Sequence, residues 1–141
     1  MGRDGRFLKG LAVFLGTRDY PTPEPSPLGI YDYGCAHLLR TSDGMVLIRV
    51  TGEIDVSTAP QLAAAVHHAL AEDASSVYVD LAQVLFFGAA GATVLLRAKR
   101  ACQRGGTNFV LLRPSRSAMR VLRFTDLIRP VLDLKHTAPA L

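Results

Sequence analysis

The sequence predicts an α/β domain in which helices pack on a mixed β-sheet. Two short apolar segments flank Asp43-Gly44, a pair typical of the turn of an antiparallel hairpin. After the hairpin, apolar segments of strand length alternate with longer segments of helical periodicity. This alternation is typical of parallel strands joined by helices, so we expect both antiparallel and parallel pairs in one sheet.

Length and composition indicate a single globular domain. The 141 residues suffice for one buried core, and 49% of them are apolar while 20% are charged. No apolar run approaches the roughly 20 residues that a membrane-spanning helix needs. The N-terminal apolar run at residues 11–15 is shorter than the hydrophobic region of a secretory signal. We therefore expect a cytoplasmic protein without a membrane partner.

Residues 1–30 are predicted to be an N-terminal segment distinct from the domain. Four prolines between residues 21 and 27 indicate an extended connector that cannot be helical. Ahead of it, apolar residues recur with the spacing of one helix face. They are Phe7, Leu8, Leu11, Phe14 and Leu15. Three interpretations stay open for this segment, namely docking on the domain, docking on a second copy of the chain, and disorder.

The domain is predicted to span residues 31–141 and to begin with the hairpin. Its first two strands are expected at residues 35–41 and 45–50, with the turn at 42–44.

A helix is predicted next. Ser57 or Thr58 can cap it, and Pro60 suits its first turn, where the missing N–H costs nothing. Near its end, His67 and His68 are adjacent and so point to different faces. We expect both to be exposed and not to bind a metal ion.

The second half of the domain alternates strands and helices. The expected elements are a strand at 77–81, a helix at 90–104 ended by two glycines, a strand at 108–112, a helix opened by Pro114 with Ser115 or Ser117 and ending at Phe124, and a strand or extended tail at 127–134.

The turn between the strand at 77–81 and the next helix contains only glycine and alanine. A strand-to-helix turn presents backbone N–H groups to a ligand or partner, but Gly88-Ala89-Ala90-Gly91 carries no hydroxyl, carboxylate or amide side chain. It also lacks the Gly-Lys-Ser/Thr ending of a phosphate-binding loop. Glu53 and Asp55 are assigned to turn formation and helix capping. We expect no catalytic residue, no metal site, no cofactor and no enzymatic activity.

Two further features have more than one interpretation. The basic residues concentrate between Arg97 and Lys135, which we assign to a solvated helix face, since the chain lacks the stacking platform or groove-reading helix of a nucleic-acid binder. Cys35 and Cys102 form no metal or disulfide motif. They are either small buried apolar residues or a redox pair, the latter only if their Cα atoms lie within about 7 Å.

Four motifs, in this order, resemble the STAS domain of bacterial anti-sigma factor antagonists over about residues 36–134. The motifs are Val-Thr-Gly-Glu-Ile-Asp at 50–55, Val-Asp-Leu-Ala-Gln-Val-Leu-Phe-Phe at 79–87, Arg-Gly-Gly at 104–106 and Val-Leu-Arg-Phe-Thr-Asp-Leu at 121–127. The resemblance implies a STAS-like mixed sheet of about four to five strands packed against about three to four α-helices.

The resemblance also implies a function. Members of this family bind an anti-sigma factor, a serine protein kinase of the GHKL type, and so release a sigma factor for transcription. The kinase inactivates them by phosphorylating a serine in an Asp-Ser-Ser/Thr-Gly turn. That turn corresponds to residues 88–91 here, with Ala89 in place of the acceptor serine and only Gly91 matching.

Alanine cannot accept a phosphoryl group, so the usual switch is absent from this position. Either the protein binds its partner without regulation, which we favour, or control has moved to Thr93, to Cys35 and Cys102, or to the N-terminal segment. We also consider a homodimer. The expected partner-binding residues are Asp55, Ser57, Phe87, Gly88, Ala89, Ala90 and Gly91. The alternative function is a ligand-sensing or scaffold STAS protein that binds a nucleotide, another anion or another regulator near the same turn.

Overall fold

A computed structural model describes residues 10–12, 14–17, 20–41 and 43–127. Within these residues a five-stranded sheet packs against helices, as predicted. The strands are β1 (Tyr31–Asp32), β2 (Ala36–Arg40), β3 (Met45–Ile54), β4 (Ser76–Phe87) and β5 (Asn108–Leu112). The helices are α1 (Ala59–Ala71), α2 (Ala89–Gly105) and α3 (Arg116–Leu122), and residues 10–12, 14 and 15 are also helical.

The sheet is mixed, and its strands lie in sequence order from β1 to β5. The pairs β1–β2 and β2–β3 are antiparallel, whereas β3–β4 and β4–β5 are parallel. The carboxyl ends of β3, β4 and β5 therefore meet at one edge of the sheet. The turns that follow these strands are brought together there.

The predicted strands at 45–50 and 77–81 are too short. β3 and β4 continue to pair as far as Ile54 and Phe87, after two register shifts between Arg49 and Glu53. Such irregularities change which side chains face inward. Buried residues at the end of β4 therefore do not follow the two-residue alternation of a regular strand. The inward residues are Leu81, Val84 and Phe87. Buried residues that recur every third position do not show the alternation by which a strand is recognised in a sequence.

One face of the sheet forms the core with the helices. Val46, Ile48 and Val50 alternate with more exposed residues along β3, as the pleat of a strand requires. The apolar sides of α1 and α2 cover this face and contact one another. Burial of these side chains holds both helices against the sheet, and so fixes where each helix begins at the carboxyl edge.

Residues 10–12 and 14–17 of the N-terminal segment pack on the domain, whereas residues 20–30 are mostly exposed. Leu11 and Leu15 are buried in the core cluster, and Phe14 is partly buried against it. The guanidinium carbon of Arg104 on α2 lies 5.0 Å from the centre of the Phe14 ring. Phe7 and Leu8, which the sequence placed on the same helix face, lie outside the described residues. The boundary at residue 30 stays a prediction.

The expectation that both histidines of α1 are exposed is wrong. The side chain of His68 is 7% exposed, and its Nδ1 lies 2.6 Å from the hydroxyl of Tyr33. His67 is partly buried, and its Nδ1 lies 2.7 Å from the hydroxyl of Thr17. The N-terminal segment and Tyr33 cover this side of the helix. The periodicity of the helix sequence does not contain this information, because the covering residues come from other parts of the chain.

The last helix is capped by Ser115, one of the two serines that the sequence offered. The Ser115 hydroxyl accepts a hydrogen bond from the backbone N–H of Ala118 at 3.1 Å, which caps α3. The helix ends at Leu122, and Leu127 beyond it is buried. Residues 128–134 of the predicted strand or tail lie outside the described residues.

Candidate functional site

Two turns meet at the carboxyl edge of the sheet. The first, residues 55–58, follows β3, and the second, residues 88–91, follows β4. The backbone N–H of Gly88 donates to the carbonyl of Ile54 at 2.9 Å, which ties the second turn to the last residue of β3, directly ahead of the first turn. The sequence motifs at 50–55 and 79–87 are thus brought to one place because their strands are parallel neighbours.

Asp55 organises the first turn. Its Oδ1 accepts hydrogen bonds from the Ser57 hydroxyl at 2.7 Å, from the Ser57 N–H at 2.9 Å and from the Thr58 N–H at 3.1 Å. The bond from the Ser57 hydroxyl, followed by the two backbone bonds, lowers the pKa of Asp55 from its ordinary value. The carboxylate is therefore ionised at neutral pH and shapes the turn ahead of α1. This geometry supports the turn-forming role inferred from the sequence.

Thr58 occupies the N-cap position of α1 without capping it through its own side chain. Its hydroxyl instead donates to the Glu53 carbonyl at 2.8 Å and accepts from the Asp55 N–H at 2.9 Å. The side chain consequently ties the turn back to β3. Pro60 lies in the first helical turn, as predicted.

The second turn has an exposed tip and a buried base. Gly88 is the N-cap of α2 in an extended conformation, Ala89 is exposed and Ala90 is partly exposed. Gly91 is buried, and a Cβ atom there would lie 2.8 Å from Phe87 Cε1 and 2.9 Å from Ile54 Cγ2. Only glycine allows α2 to begin this close to the ends of β3 and β4. Gly91, the position that matches the family motif, is therefore required to be glycine by the packing around it.

Two of the predicted partner-binding residues, Phe87 and Gly91, are buried and so lie beneath the surface. Phe87 is 2% exposed, so its ring supports the turn from beneath and is not on the surface. The large exposed apolar side chains at this end of the sheet are Val56 at 82%, Leu85 at 73% and Phe86 at 51%. Sequence reasoning missed them. The sequence shows that residues 85–87 are apolar, but which of them face outward depends on the register shifts against β3.

The three side chains proposed for alternative regulation are engaged in packing or backbone contacts. The hydroxyl of Thr93, one turn into α2, donates to the Ala89 carbonyl at 3.0 Å. Cys35 and Cys102 are buried thiols. Burial raises the pKa of Cys35 to about 11, so this thiol is protonated at neutral pH and unreactive.

A buried carboxylate near this edge was not anticipated. Asp80 is 3% exposed and contacts the guanidinium of Arg113, while Arg49 Nε lies 3.7 Å away. The Asp80 carboxylate also accepts a hydrogen bond from the Ala82 N–H at 3.0 Å. Pairing with Asp80 raises the pKa of Arg113 further above its ordinary value. The sequence feature that could have revealed this pair is an acidic residue inside an apolar strand. A carboxylate buried in such a strand requires a charged or hydrogen-bonding partner.

The helices that lead away from the site carry a basic surface. Their exposed arginines are Arg97, Arg100 and Arg104 on α2, and Arg116, Arg120 and Arg123 on or next to α3. This agrees with the solvated arginine-rich face that we expected. Among the described residues there is no cluster of three or more metal-ligating side chains. In the same part of the chain no helix is long and apolar enough to span a bilayer.

The comparison with known families decides the classification. The family model described as the STAS domain matches residues 37–139. The chain belongs to the STAS domain family. The resemblance found in the sequence motifs is thereby confirmed, and the mixed sheet flanked by helices is the STAS fold.

Solved structures of similar fold include anti-sigma factor antagonists. An anti-sigma factor antagonist from Mycobacterium paratuberculosis is 25% identical to this STAS protein, with a TM-score of 0.61 over 77% of this chain and 87% of the other. The anti-sigma factor antagonist SpoIIAA in its unphosphorylated form is 18% identical, with a TM-score of 0.62 over 75% and 98% of the two chains. The Bacillus cell fate determinant SpoIIAA in its phosphorylated form is 23% identical, with a TM-score of 0.59 over 68% and 87%. No curated protein sequence matches the chain.

Proposed function

We propose that this STAS protein is an anti-sigma factor antagonist. It binds an anti-sigma factor that is a serine kinase of the GHKL type, and so regulates transcription that depends on the sigma factor. Family membership and the names of the structural neighbours support this role. The role is one of binding in the cytoplasm and involves no catalysis by this chain. The homodimer stays a prediction.

The observation that carries the proposal is the composition of the surface around the two joined turns, which we call the turn face. We define the turn face as Asp55, Val56, Ser57, Leu85, Phe86 and residues 88–90. Its centre has almost no side chains, whereas Val56, Leu85 and Phe86 expose apolar surface at the same end of the sheet. A partner backbone can approach the small residues closely while apolar side chains are buried around them. Phe87 and Gly91 support this surface from beneath.

The partner is expected to be acidic around the contact. α2 starts at the turn face, and its exposed arginines extend away from it. Opposite charge on the partner would favour encounter and orientation more than it would add affinity.

Binding is not switched at Ala89. A methyl group at the exposed tip cannot accept the phosphoryl group, so a charge of about −1.5 to −2 is never introduced there. Thr93 does not restore an equivalent acceptor, because its hydroxyl donates to the Ala89 carbonyl inside the first turn of α2. We therefore propose that this protein binds its anti-sigma factor constitutively.

The test is capture of partners from a lysate of the cells that naturally make this protein. Wild type, Ala89→Asp and Gln103→Glu serve as baits, and mass spectrometry identifies what is retained. Gln103 is exposed near the other end of α2, so its variant adds the same unit of charge away from the turn face. We expect an anti-sigma factor with wild type and with Gln103→Glu, and at least about tenfold less with Ala89→Asp, since a buried unpaired charge costs more than 1.4 kcal/mol.

Two outcomes would contradict the proposal. Recovery of no anti-sigma factor by any bait rejects the antagonist role, and equal recovery by all three rejects the turn face as the contact. A separate experiment tests the ligand-sensing alternative. ATP or inorganic phosphate is added to the purified chain, and the amide signals of residues 88–91 are followed by NMR. Saturable shifts there without a protein partner would favour that alternative.

A further inference from the structure

The outward side of α3 carries a row of arginines. Arg116, Arg120 and Arg123, which we call the arginine stripe, are exposed and follow one another at intervals of four and three residues. This spacing places them on one face of the helix, about one turn apart. The opposite face is fixed in the core by Ala118 and Leu122, which are both 0% exposed. The packing of α3 therefore holds the stripe toward the solvent.

Phe124 extends the same face by an exposed aromatic ring. The chain continues to turn after α3, because the backbone N–H of Phe124 donates to the Val121 carbonyl at 3.2 Å. Phe124 lies four residues beyond Arg120 and is 84% exposed. The guanidinium carbon of Arg123 lies 5.9 Å from the centre of its ring. The assignment of these arginines to a solvated face depended on the lack of a stacking platform, and Phe124 provides one.

The positive charge of the stripe is not neutralised within the part of the chain that the structure describes. The ion pairs there involve other cations. Residues 113–125 contain four arginines and no aspartate or glutamate, and of these arginines Arg113 is paired with Asp80. The other three are available to an anion from outside the domain.

We propose that the arginine stripe and Phe124 bind single-stranded nucleic acid. The guanidinium groups contact successive phosphates, and the Phe124 ring stacks against an unpaired base. A row of cations along the backbone, together with an aromatic ring for the bases, is how proteins bind single strands without sequence preference.

A single strand fits this surface better than a duplex does. A base must be unstacked from its neighbours before it can lie on the Phe124 ring, and in a duplex it is not. The outward positions of α3 carry no asparagine or glutamine that could read base edges in a groove. Binding is therefore expected to be weak, dependent on salt and indifferent to sequence.

Among anionic partners, nucleic acid alone combines regularly spaced charges with flat rings. A strand that lies along the stripe brings a base to Phe124, because the ring stands at the end of the row. An acidic peptide would match the arginines without needing the ring. An anionic membrane would use the ring as an apolar anchor and not as a stacking platform.

The nucleic-acid surface is distinct from the turn face. α3 begins beside the turn face, since the Ser117 hydroxyl donates to the Leu85 carbonyl at 2.8 Å, but the stripe and Phe124 share no residue with it. The two binding activities can therefore succeed or fail independently.

Fluorescence of a Phe124→Trp variant tests the proposal, because the chain contains no tryptophan of its own. The full-length variant is titrated with a single-stranded oligonucleotide of about 12 nucleotides. We expect saturable quenching of its emission as a base stacks on the new ring. Three phosphate contacts give a slope of log K against log salt of about −2.1, so affinity should fall roughly twentyfold between about 50 and 200 mM salt.

Paired variants separate the stripe from general positive charge. In the Phe124→Trp chain, Arg120→Gln with Arg123→Gln should reduce affinity at least about tenfold at low salt and the slope to about −0.7. Arg97→Gln with Arg100→Gln removes the same charge from exposed positions of α2 and should change affinity less than about threefold. Phe124→Ala, followed by fluorescence anisotropy of a labelled oligonucleotide, should bind at least about fivefold more weakly than wild type with an unchanged slope.

Four results would overturn the proposal. Equal losses from the two arginine pairs would show unspecific attraction to a basic chain. Full affinity of Phe124→Ala, or equal binding of a duplex of the same length, would show that no base stacks on the ring. Displacement of the oligonucleotide by an equal concentration of oligoglutamate would identify an acidic protein as the partner. A blue shift of the Phe124→Trp emission with phosphatidylglycerol vesicles, without quenching by the oligonucleotide, would identify a membrane.

Discussion

Gly91→Ala tests the packing beneath the turn face. The added methyl group would lie 2.8 Å from Phe87 Cε1 and 2.9 Å from Ile54 Cγ2, which is closer than carbon atoms approach without displacement. Phe87 and Ile54 are 2% and 0% exposed, so neither can move into solvent. The clash has to be relieved by shifting the start of α2 or by distorting the buried ring.

The expected cost follows from two opposing terms. Overpacking of a filled core by one methyl group costs roughly 1–3 kcal/mol. Replacing glycine by alanine inside a helix recovers about 0.5–1 kcal/mol of propensity. Because two of the contacts fall below 3.0 Å, we take the upper part of the first range, about 2–3 kcal/mol. The net destabilisation is therefore about 1–2.5 kcal/mol, or a fall of roughly 3–8 °C in Tm for a chain of this size.

Chemical denaturation with Gly88→Ala as the matched control provides the assay. At Gly88 the nearest atom to an added Cβ is Phe86 Cε2 at 3.2 Å, on an exposed ring that can move, so we expect a loss below about 1 kcal/mol. Phe87→Leu removes the ring atoms that meet the new methyl group. In that background Gly91→Ala should cost about 1 kcal/mol less than in wild type.

The reasoning would be refuted by a Gly91→Ala variant that is as stable as wild type, because helix propensity would then dominate and the close approach would be unimportant. Equal costs of Gly91→Ala in the wild-type and Phe87→Leu backgrounds would show that the ring is not the obstacle.

Three further outcomes are expected. Asp80→Asn should lower the free energy of unfolding by about 1–2 kcal/mol, because it removes the charge opposite Arg113 from a buried position; an unchanged denaturation midpoint would contradict this. Ala89→Ser should gain one phosphoryl group, seen by intact mass, when the captured kinase and ATP are added, whereas wild type should gain none at residue 89; phosphorylation of neither protein would show that the exposed tip is not presented to the kinase. Cys35 should resist iodoacetamide at pH 7.5 in the native state and react on unfolding, since burial raises its pKa to about 11; rapid native labelling would show an open thiol.

Local signals made the fold class predictable. The Asp43-Gly44 pair indicated the antiparallel hairpin, and Ser115 indicated the start of α3. Each of these features depends on a few adjacent residues whose backbone preferences or capping groups act over short distances. The composition of the turn at 88–91 was equally accessible, since the absence of reactive side chains can be read directly.

Long-range pairing decided what the local signals could not. The extension of β4 to Phe87 depends on register shifts against β3, and these shifts place Phe86 outside and Phe87 inside. Likewise, buried Asp80 has Arg113 as its partner, and Arg113 lies beside it because β5 pairs with β4. No segment considered alone contains this information.

By itself, the sequence determined that this chain is a mixed α/β domain with a glycine–alanine turn that cannot be phosphorylated. Only the tertiary structure decided which apolar side chains surround that turn, why Gly91 must be glycine and how the N-terminal segment reaches His67. The physical reason is the range of the interactions. Turns, caps and periodicity follow from neighbouring residues, whereas strand register and burial follow from contacts between residues far apart in the chain.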